Sequence, residues 1–208
     1  MTNNIKLQEV CKQLHIPVVG TTSWPLPIEA REILQESNPC PFTAADIDER
    51  LIGTTDFMPH SAIVCLFPYH MPHEGPTNLS RYTWATDYHL VVTDYLQRLV
   101  DELKTTAPDA SFSIHCDTSP LADRYMAYLA GLGFYGKNKC FINPTWGSYI
   151  VIGTVLTTLE FESNTPMTDT CMGCNRCITS CLGQCLNGNA FNYATCKSYL
   201  TQKKGDLT

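Results

Sequence analysis

The sequence predicts an α/β fold, with alternating helices and strands over residues 1–158 and a cysteine-rich segment over 159–208. Three observations carry this reading. Apolar residues recur at helical spacing in several stretches, and short continuous or alternating apolar runs separate those stretches between Pro and Gly punctuation. Six of the eleven cysteines crowd together after position 170.

Composition bounds the possibilities. At 208 residues, 44% hydrophobic and 16% charged, the chain is long enough to bury one good core and is of ordinary globular make-up. Its apolar runs fall short of the ~20 residues of a membrane span, and the N-terminus lacks a basic-then-apolar leader. The expectation is a cytoplasmic protein with no membrane partner. In that setting eleven cysteines point to metal ligation rather than to a disulfide scaffold. A net charge of −6, from 14 basic and 20 acidic residues, is the wrong sign for generic nucleic-acid binding.

Taken in order, Ile5, Leu7, Val10 and Leu14 trace an amphipathic helix over residues 5–14, and residues 16–20 read as a buried strand. Pro27 opens a second helix through Leu34, which Asn38-Pro39-Cys40-Pro41 ends. Residues 43–60 are weakly patterned. Residues 62–67 form a continuous apolar run ended by Pro68, as in a strand covered on both faces, with Cys65 a small core residue. His70 and His73 lie in the polar loop that follows, where solvated histidines are commoner than ligands.

The longest helix is expected over 87–104, with Val92, Tyr95, Leu96, Leu99 and Leu103 on one stripe. Residues 111–116 alternate as a strand. Ser119 is then a natural N-cap and Pro120 a natural first helical residue, for a helix stopped by Gly131 and Gly133. Asp117 therefore stands where a strand ends and a helix begins, an edge at which ligands gather in α/β sheets. On pattern alone it is either a functional carboxylate or a loop carboxylate helping to cap the helix. The glycines at 131, 133 and 136 permit close backbone approach to a bulky ligand, although the spacing is not that of a P-loop. A turn at 143–148, a last apolar strand at 149–157 and a polar linker at 160–170 complete this part.

Cys171, Cys174, Cys177 and Cys181 have the spacing C-x2-C-x2-C-x3-C. It is the run with which bacterial-type ferredoxins hold cubane iron–sulfur clusters: three thiolates wrap one cluster, and the fourth ligates another. Zinc is the alternative, since C-x2-C pairs also build zinc sites, but those pairs are usually well separated.

Several of these segments together resemble the epoxyqueuosine reductase family. They are residues 62–69, Arg81-Tyr82 with Asp87-Tyr88-His89, 117–124, 130–138, 142–144, Gly147-Ser148, the four-cysteine run and 196–201. The resemblance implies a cobalamin-binding α/β domain followed by a ferredoxin-like iron–sulfur module with one or two [4Fe-4S] clusters. It implies the reductive removal of an epoxide oxygen from a modified base of tRNA, with electrons from an external donor. Asp117 matches the family's proton donor. Tyr88, His89, Asp117, Lys137, Asn138 and Ser148 are placed along the cobalamin, and Cys171, Cys174, Cys177, Cys181 and Cys196 at the clusters.

The chain departs from the family at Leu182, where proline is usual, and at an extra Cys185, either a substitute ligand or an adventitious thiol. The second cysteine group expected beyond Cys196, and the helical-repeat region that grips tRNA, are not met before Thr208. This suggests a short member, weak in tRNA binding by itself. The competing functions are a reductive-dehalogenase-like cobalamin enzyme and a non-catalytic iron–sulfur electron carrier.

Overall fold

The computed structural model describes residues 3–36, 40–43, 46–72, 78–168, 171–187 and 191–205. In chain order its elements are α1 (Asn3–Gln13), β1 (Val18–Ser23), α2 (Glu29–Glu36), α3 (Ile47–Ile52), β2 (Ser61–Pro68), α4 (Tyr88–Thr106) and β3 (Phe112–Cys116). There follow α5 (Asp123–Leu129), β4 (Phe134–Tyr135), β5 (Phe141–Ile142), β6 (Ile150–Thr157), α6 (Arg176–Thr179) and α7 (Lys197–Gln202).

Four strands form one sheet in the order β1-β2-β6-β3, and every pairing is antiparallel. The central pair is in register from Ser61 opposite Thr157 to Pro68 opposite Ile150. Because β2 alternates faces, it supplies two cores. Ala62, Val64 and Leu66 pack with Met126 and Ala127 of α5, while Ile63 and Cys65 pack with Val92, Leu96 and Leu99 of α4. Helices on both faces explain why β2 reads as an unbroken apolar run, a pattern more usual for parallel sheets. Cys65 is fully buried, as expected of a small core residue.

α4 presents its apolar stripe to β6. Gly153 lets it come close, since a Cβ there would meet Val92 at 2.7 Å and Leu96 at 2.9 Å. Its N-cap is Asp87, whose carboxylate accepts from the His89 N–H. The free edge of β1 is closed by the stretch expected to be a linker: Thr21 N–H donates to Asn164 Oδ1 at 2.7 Å, and Asn164 N–H donates back to Thr21 O at 2.8 Å.

Three local expectations are corrected. Residues 47–52 are helical, capped by Asp46, whose side chain accepts from the N–H groups of Asp48 and Glu49. Ser119 is not the N-cap of α5 and Pro120 is not its first residue, because Ala122 holds the cap position. The Ser119 hydroxyl instead accepts from the Leu121 N–H inside an irregular turn. The glycines after α5 serve the fold rather than leave room for a ligand: Gly131, at φ +69°, is followed by the Leu132 N–H donating back to Ala127 O at 3.0 Å. A Cβ on Gly133 would lie 2.2 Å from Ile142 O, and one on Gly136 2.5 Å from Asn138 Oδ1. In the loop after β2, the His70 ring meets the Arg81 guanidinium at 2.8 Å and packs edge-on against Tyr149. His73 and Asn38-Pro39 lie outside the described residues. Among the described residues no helix is long and apolar enough to cross a membrane.

Leu96 is 0% exposed on α4 and Leu90, on the same helix, is 67% exposed. Leu96→Ala should cost about 2–5 kcal/mol in urea unfolding, whereas Leu90→Ala should stay within about 0.5 kcal/mol of wild type. Equal losses at the two positions would contradict the assignment of the helix faces.

Candidate active site

The antiparallel register brings the C-terminal ends of β2 and β3 and the N-terminal end of β6 to one rim of the sheet. α4 also begins at this rim. A cavity of about 550 Å³ opens there, lined by Tyr69, Tyr82, Tyr88 and Tyr135, by Ile150 and Ile152, and by Asp117, Asp123, Arg50 and Arg124. Its volume is that of a small-molecule site, with flat aromatic walls and a few converging polar groups.

Asp117 follows the last residue of β3 with φ +60°, a left-handed conformation that Asp adopts more readily than most residues. That turn directs its carboxylate to Tyr88, whose hydroxyl donates to Asp117 Oδ2 at 2.5 Å. The His89 ring is stacked on Tyr88 with centroids 4.1 Å apart. Its Nδ1 lies 2.8 Å from Asp87 Oδ1 and its Nε2 3.6 Å from Asp117 Oδ2. With Nδ1–H given to Asp87, Nε2 faces Asp117. Thus α4's first two residues and its cap hold the carboxylate from one side.

The charges of the rim are mutually perturbed. Burial first, and then the bond to Asp117, push the Tyr88 hydroxyl pKa well up, so Tyr88 stays a donor. Backbone and side-chain hydrogen bonds from His89 hold Asp87 below its usual value. Asp123, at the start of α5, is pushed up to about 7, first by burial and then by the neighbouring Asp117 charge. Thr154 and Arg124 offset part of this, although the buried Thr154 hydroxyl makes no hydrogen bond of ordinary length.

The remaining expected site residues divide. Tyr88, His89 and Asp117 are brought together. Asn138 instead shapes the β4–β5 turn, where its Oδ1 accepts from the Cys140 N–H at 3.1 Å. Lys137 turns to the cysteine segment: its N–H donates to Cys171 Sγ at 3.2 Å and its Nζ to Asn175 Oδ1 at 2.7 Å. Ser148 is exposed beside the turn in which Asn143 Oδ1 accepts from the N–H groups of Thr145 and Trp146. Neither Lys137, Asn138 nor Ser148 lines the cavity.

In the cysteine segment Cys171 and Cys177 are half-buried and Cys174 is exposed. Cys185 is buried, with its Sγ 3.3 Å from that of Cys181. Burial, and then the bond to Cys181, push the Cys185 thiol up to about 12, while the bond from Cys185 lowers Cys181, so Cys181 is the more readily deprotonated of the two. Gly183 lies tight against Thr195, which brings the Cys181–Cys185 loop up to Cys196. An all-thiol donor set of this kind fits iron–sulfur chemistry. No three His, Cys, Asp or Glu side chains among the described residues are gathered around a single point, as one metal ion would need.

Sequence reasoning missed Arg50, Asp123, Arg124 and Tyr135. For Arg50 there was a usable signal: Asp46-Ile-Asp-Glu49 is a helix-start pattern in the weakly patterned region. Asp123 and Arg124 required knowing that α5 begins at Asp123, and Tyr135 required knowing that the β4–β5 hairpin lies against the cavity.

Over residues 57–118 the chain matches the family model described as Epoxyqueuosine reductase QueG, DUF1730. The epoxyqueuosine reductase of Bacillus subtilis is 32% identical over 217 residues, a stretch that covers 97% of this chain and 56% of that protein. The solved epoxyqueuosine reductase of Streptococcus thermophilus superposes with a TM-score of 0.85 at 26% identity, covering 100% of this chain and 60% of that one. An epoxyqueuosine reductase solved with an epoxyqueuosine-modified tRNA-Tyr stem loop gives 0.84 at 29% identity, covering 99% of this chain and 58% of that one. The chain spans about a third to just over half of the curated relatives it matches, 34% of one from Bacillus cereus and 56% of the Bacillus subtilis protein.

Asp123 gives the rim a pH signature. A carboxyl held up at about 7 in the fold, against an ordinary 3.8, contributes stability below the lower value and loses it as pH rises through the upper one. Urea midpoints of wild type, relative to Asp123→Asn, should therefore fall between about pH 4 and pH 7 and level off above. A difference that stays constant or rises over that window would contradict the burial of Asp123.

Proposed function

We propose that the chain is a member of the epoxyqueuosine reductase family and that its Asp117 cavity serves the reductive deoxygenation of an epoxide carried on a tRNA base. The observation that carries the reading is the carboxylate at the cavity rim, fixed by the Tyr88 hydroxyl at 2.5 Å and faced by His89 Nε2 at 3.6 Å.

Removing an epoxide oxygen as water consumes two electrons and two protons. Cobalamin, held against Tyr69, Tyr82 and Tyr88, would supply low-potential electrons for the reduction, and [4Fe-4S] clusters held by the cysteine segment would relay them from an external donor. The chain's own residues handle position and protons. The aromatic wall of Tyr69, Tyr82 and Tyr88 offers flat surface to a large ring, and Ile150 and Ile152 keep water from its edge. Asp117 delivers a proton to the departing oxygen, since a positioned carboxylic acid lowers the barrier to C–O cleavage. Tyr88 holds that carboxyl in place through its hydrogen bond. His89, oriented by Asp87, returns a proton to Asp117 between turnovers. Cys171, Cys174 and Cys177 hold one cluster, and Cys181 and Cys196 belong to a second. In this reading the protein is a cytoplasmic oxidoreductase of tRNA modification.

Asp117→Asn tests the role, because the amide keeps the shape but carries no acidic proton. In protein loaded with cobalamin and clusters, cofactor binding and fold should persist while epoxide turnover falls by something like ~10²–10⁴-fold. Turnover within a few-fold of wild type, with both cofactors bound, would remove Asp117 from the chemistry.

A further inference from the structure

Lys137 is the exposed tip residue of the β4–β5 hairpin, 34 residues before Cys171. It makes two hydrogen bonds into the first cysteine triplet. The backbone N–H donates to Cys171 Sγ at 3.2 Å, and the ammonium reaches Asn175 Oδ1 at 2.7 Å. Asn175 lies between Cys174 and Cys177 in the run and is itself held at φ +54°. A single residue therefore touches the triplet at its first thiol and at its middle turn.

The hairpin is built to hold that residue still. Gly136 N–H donates to Cys140 O at 2.9 Å, Lys139 N–H to Gly136 O at 2.9 Å, and Asn138 Oδ1 accepts from the Cys140 N–H. A Cβ on Gly136 would lie 2.5 Å from both Asn138 Oδ1 and Ile142 Cδ1, so a larger residue would have to displace those two side chains. The same hairpin carries Tyr135, which lines the cavity. It thus joins the cavity wall to the cysteine triplet through two residues two apart in sequence.

Hydrogen bonds to thiolate sulfur and nearby net charge are two of the levers that set the potential of an iron–sulfur cluster. Reduction adds a negative charge to the cluster, and a fixed ammonium favours the reduced state. From this we infer that Lys137 is a positioning residue for the cluster held by Cys171, Cys174 and Cys177, seating it against the cavity and raising its reduction potential. The inference rests on the cluster assignment of the proposed function. It departs from the expectation that Lys137 lies along the cobalamin.

The test is an EPR-monitored redox titration of the anaerobically iron- and sulfide-reconstituted full chain, comparing wild type with Lys137→Met and Lys137→Arg. Lys137→Met should reduce at a lower potential, by about tenfold in the reduced-to-oxidised ratio at a given poise, which is ~59 mV for one electron. Lys137→Arg, which keeps the charge, should stay near wild type. Loss of iron from Lys137→Met but not from Lys137→Arg would also support the role, because only the cation then distinguishes them. Equal potentials in all three proteins, or equal shifts or iron loss in both variants, would overturn it. Wild-type protein that incorporates no iron and sulfide would overturn the cluster assignment itself, and with it this inference.

Discussion

The two-sided burial of β2 is the constraint from which the rest follows. Ile63, Val64, Cys65 and Leu66 are all 0% exposed, and successive residues point to opposite cores. Such a strand is stable only with a helical layer on each face, because each buried aliphatic side chain gains ~1.5–3 kcal/mol only when water is excluded from it. α4 supplies one layer and α5 the other. The connection from β2 into α4 and the one from β3 into α5 both lie at one rim, so that the start of α4, the end of β3 and the start of α5 converge. Tyr88, Asp117 and Asp123 are the residues at those three points. The cavity is a consequence of the packing rather than an addition to it.

That geometry explains which parts were legible in the sequence. Elements whose patterning reports burial directly were readable: β2 as an unbroken apolar run, α4 from a stripe of Val92, Leu96, Leu99 and Leu103, and the turn around Asn143. The position of Asp117 at the end of β3 was also readable, because strand alternation stops at Cys116. The cysteine run was legible for a different reason, since its spacing reflects ligand chemistry and not packing.

What escaped was long-range. Period-2 alternation does not say whether neighbouring strands are parallel, and helices on both faces masked the antiparallel pairing. Ser119 and Pro120 have the right chemistry for a helix start, yet the chain spends Asp117 through Ala122 turning from β3 into the rim, and the helix begins only at Asp123. Glycines 133 and 136 looked permissive towards a ligand, but the atoms that crowd them belong to β5 and to Asn138. The direction of Lys137, towards Cys171 instead of the cavity, depends on a contact across 34 residues that no local pattern encodes.

The central claim is that the rim cavity takes up cobalamin next to Asp117, the carboxyl that protonates the departing oxygen of the substrate. Its most direct test is to titrate anaerobically purified chain with cobalamin, following the corrin absorption, alongside Ser119→Trp, which places bulk in the cavity wall. The account predicts saturable binding with a shifted corrin spectrum in wild type and its loss in Ser119→Trp, with far-UV circular dichroism unchanged. Absence of saturable binding in wild type, or equal binding by a folded Ser119→Trp protein, would contradict it.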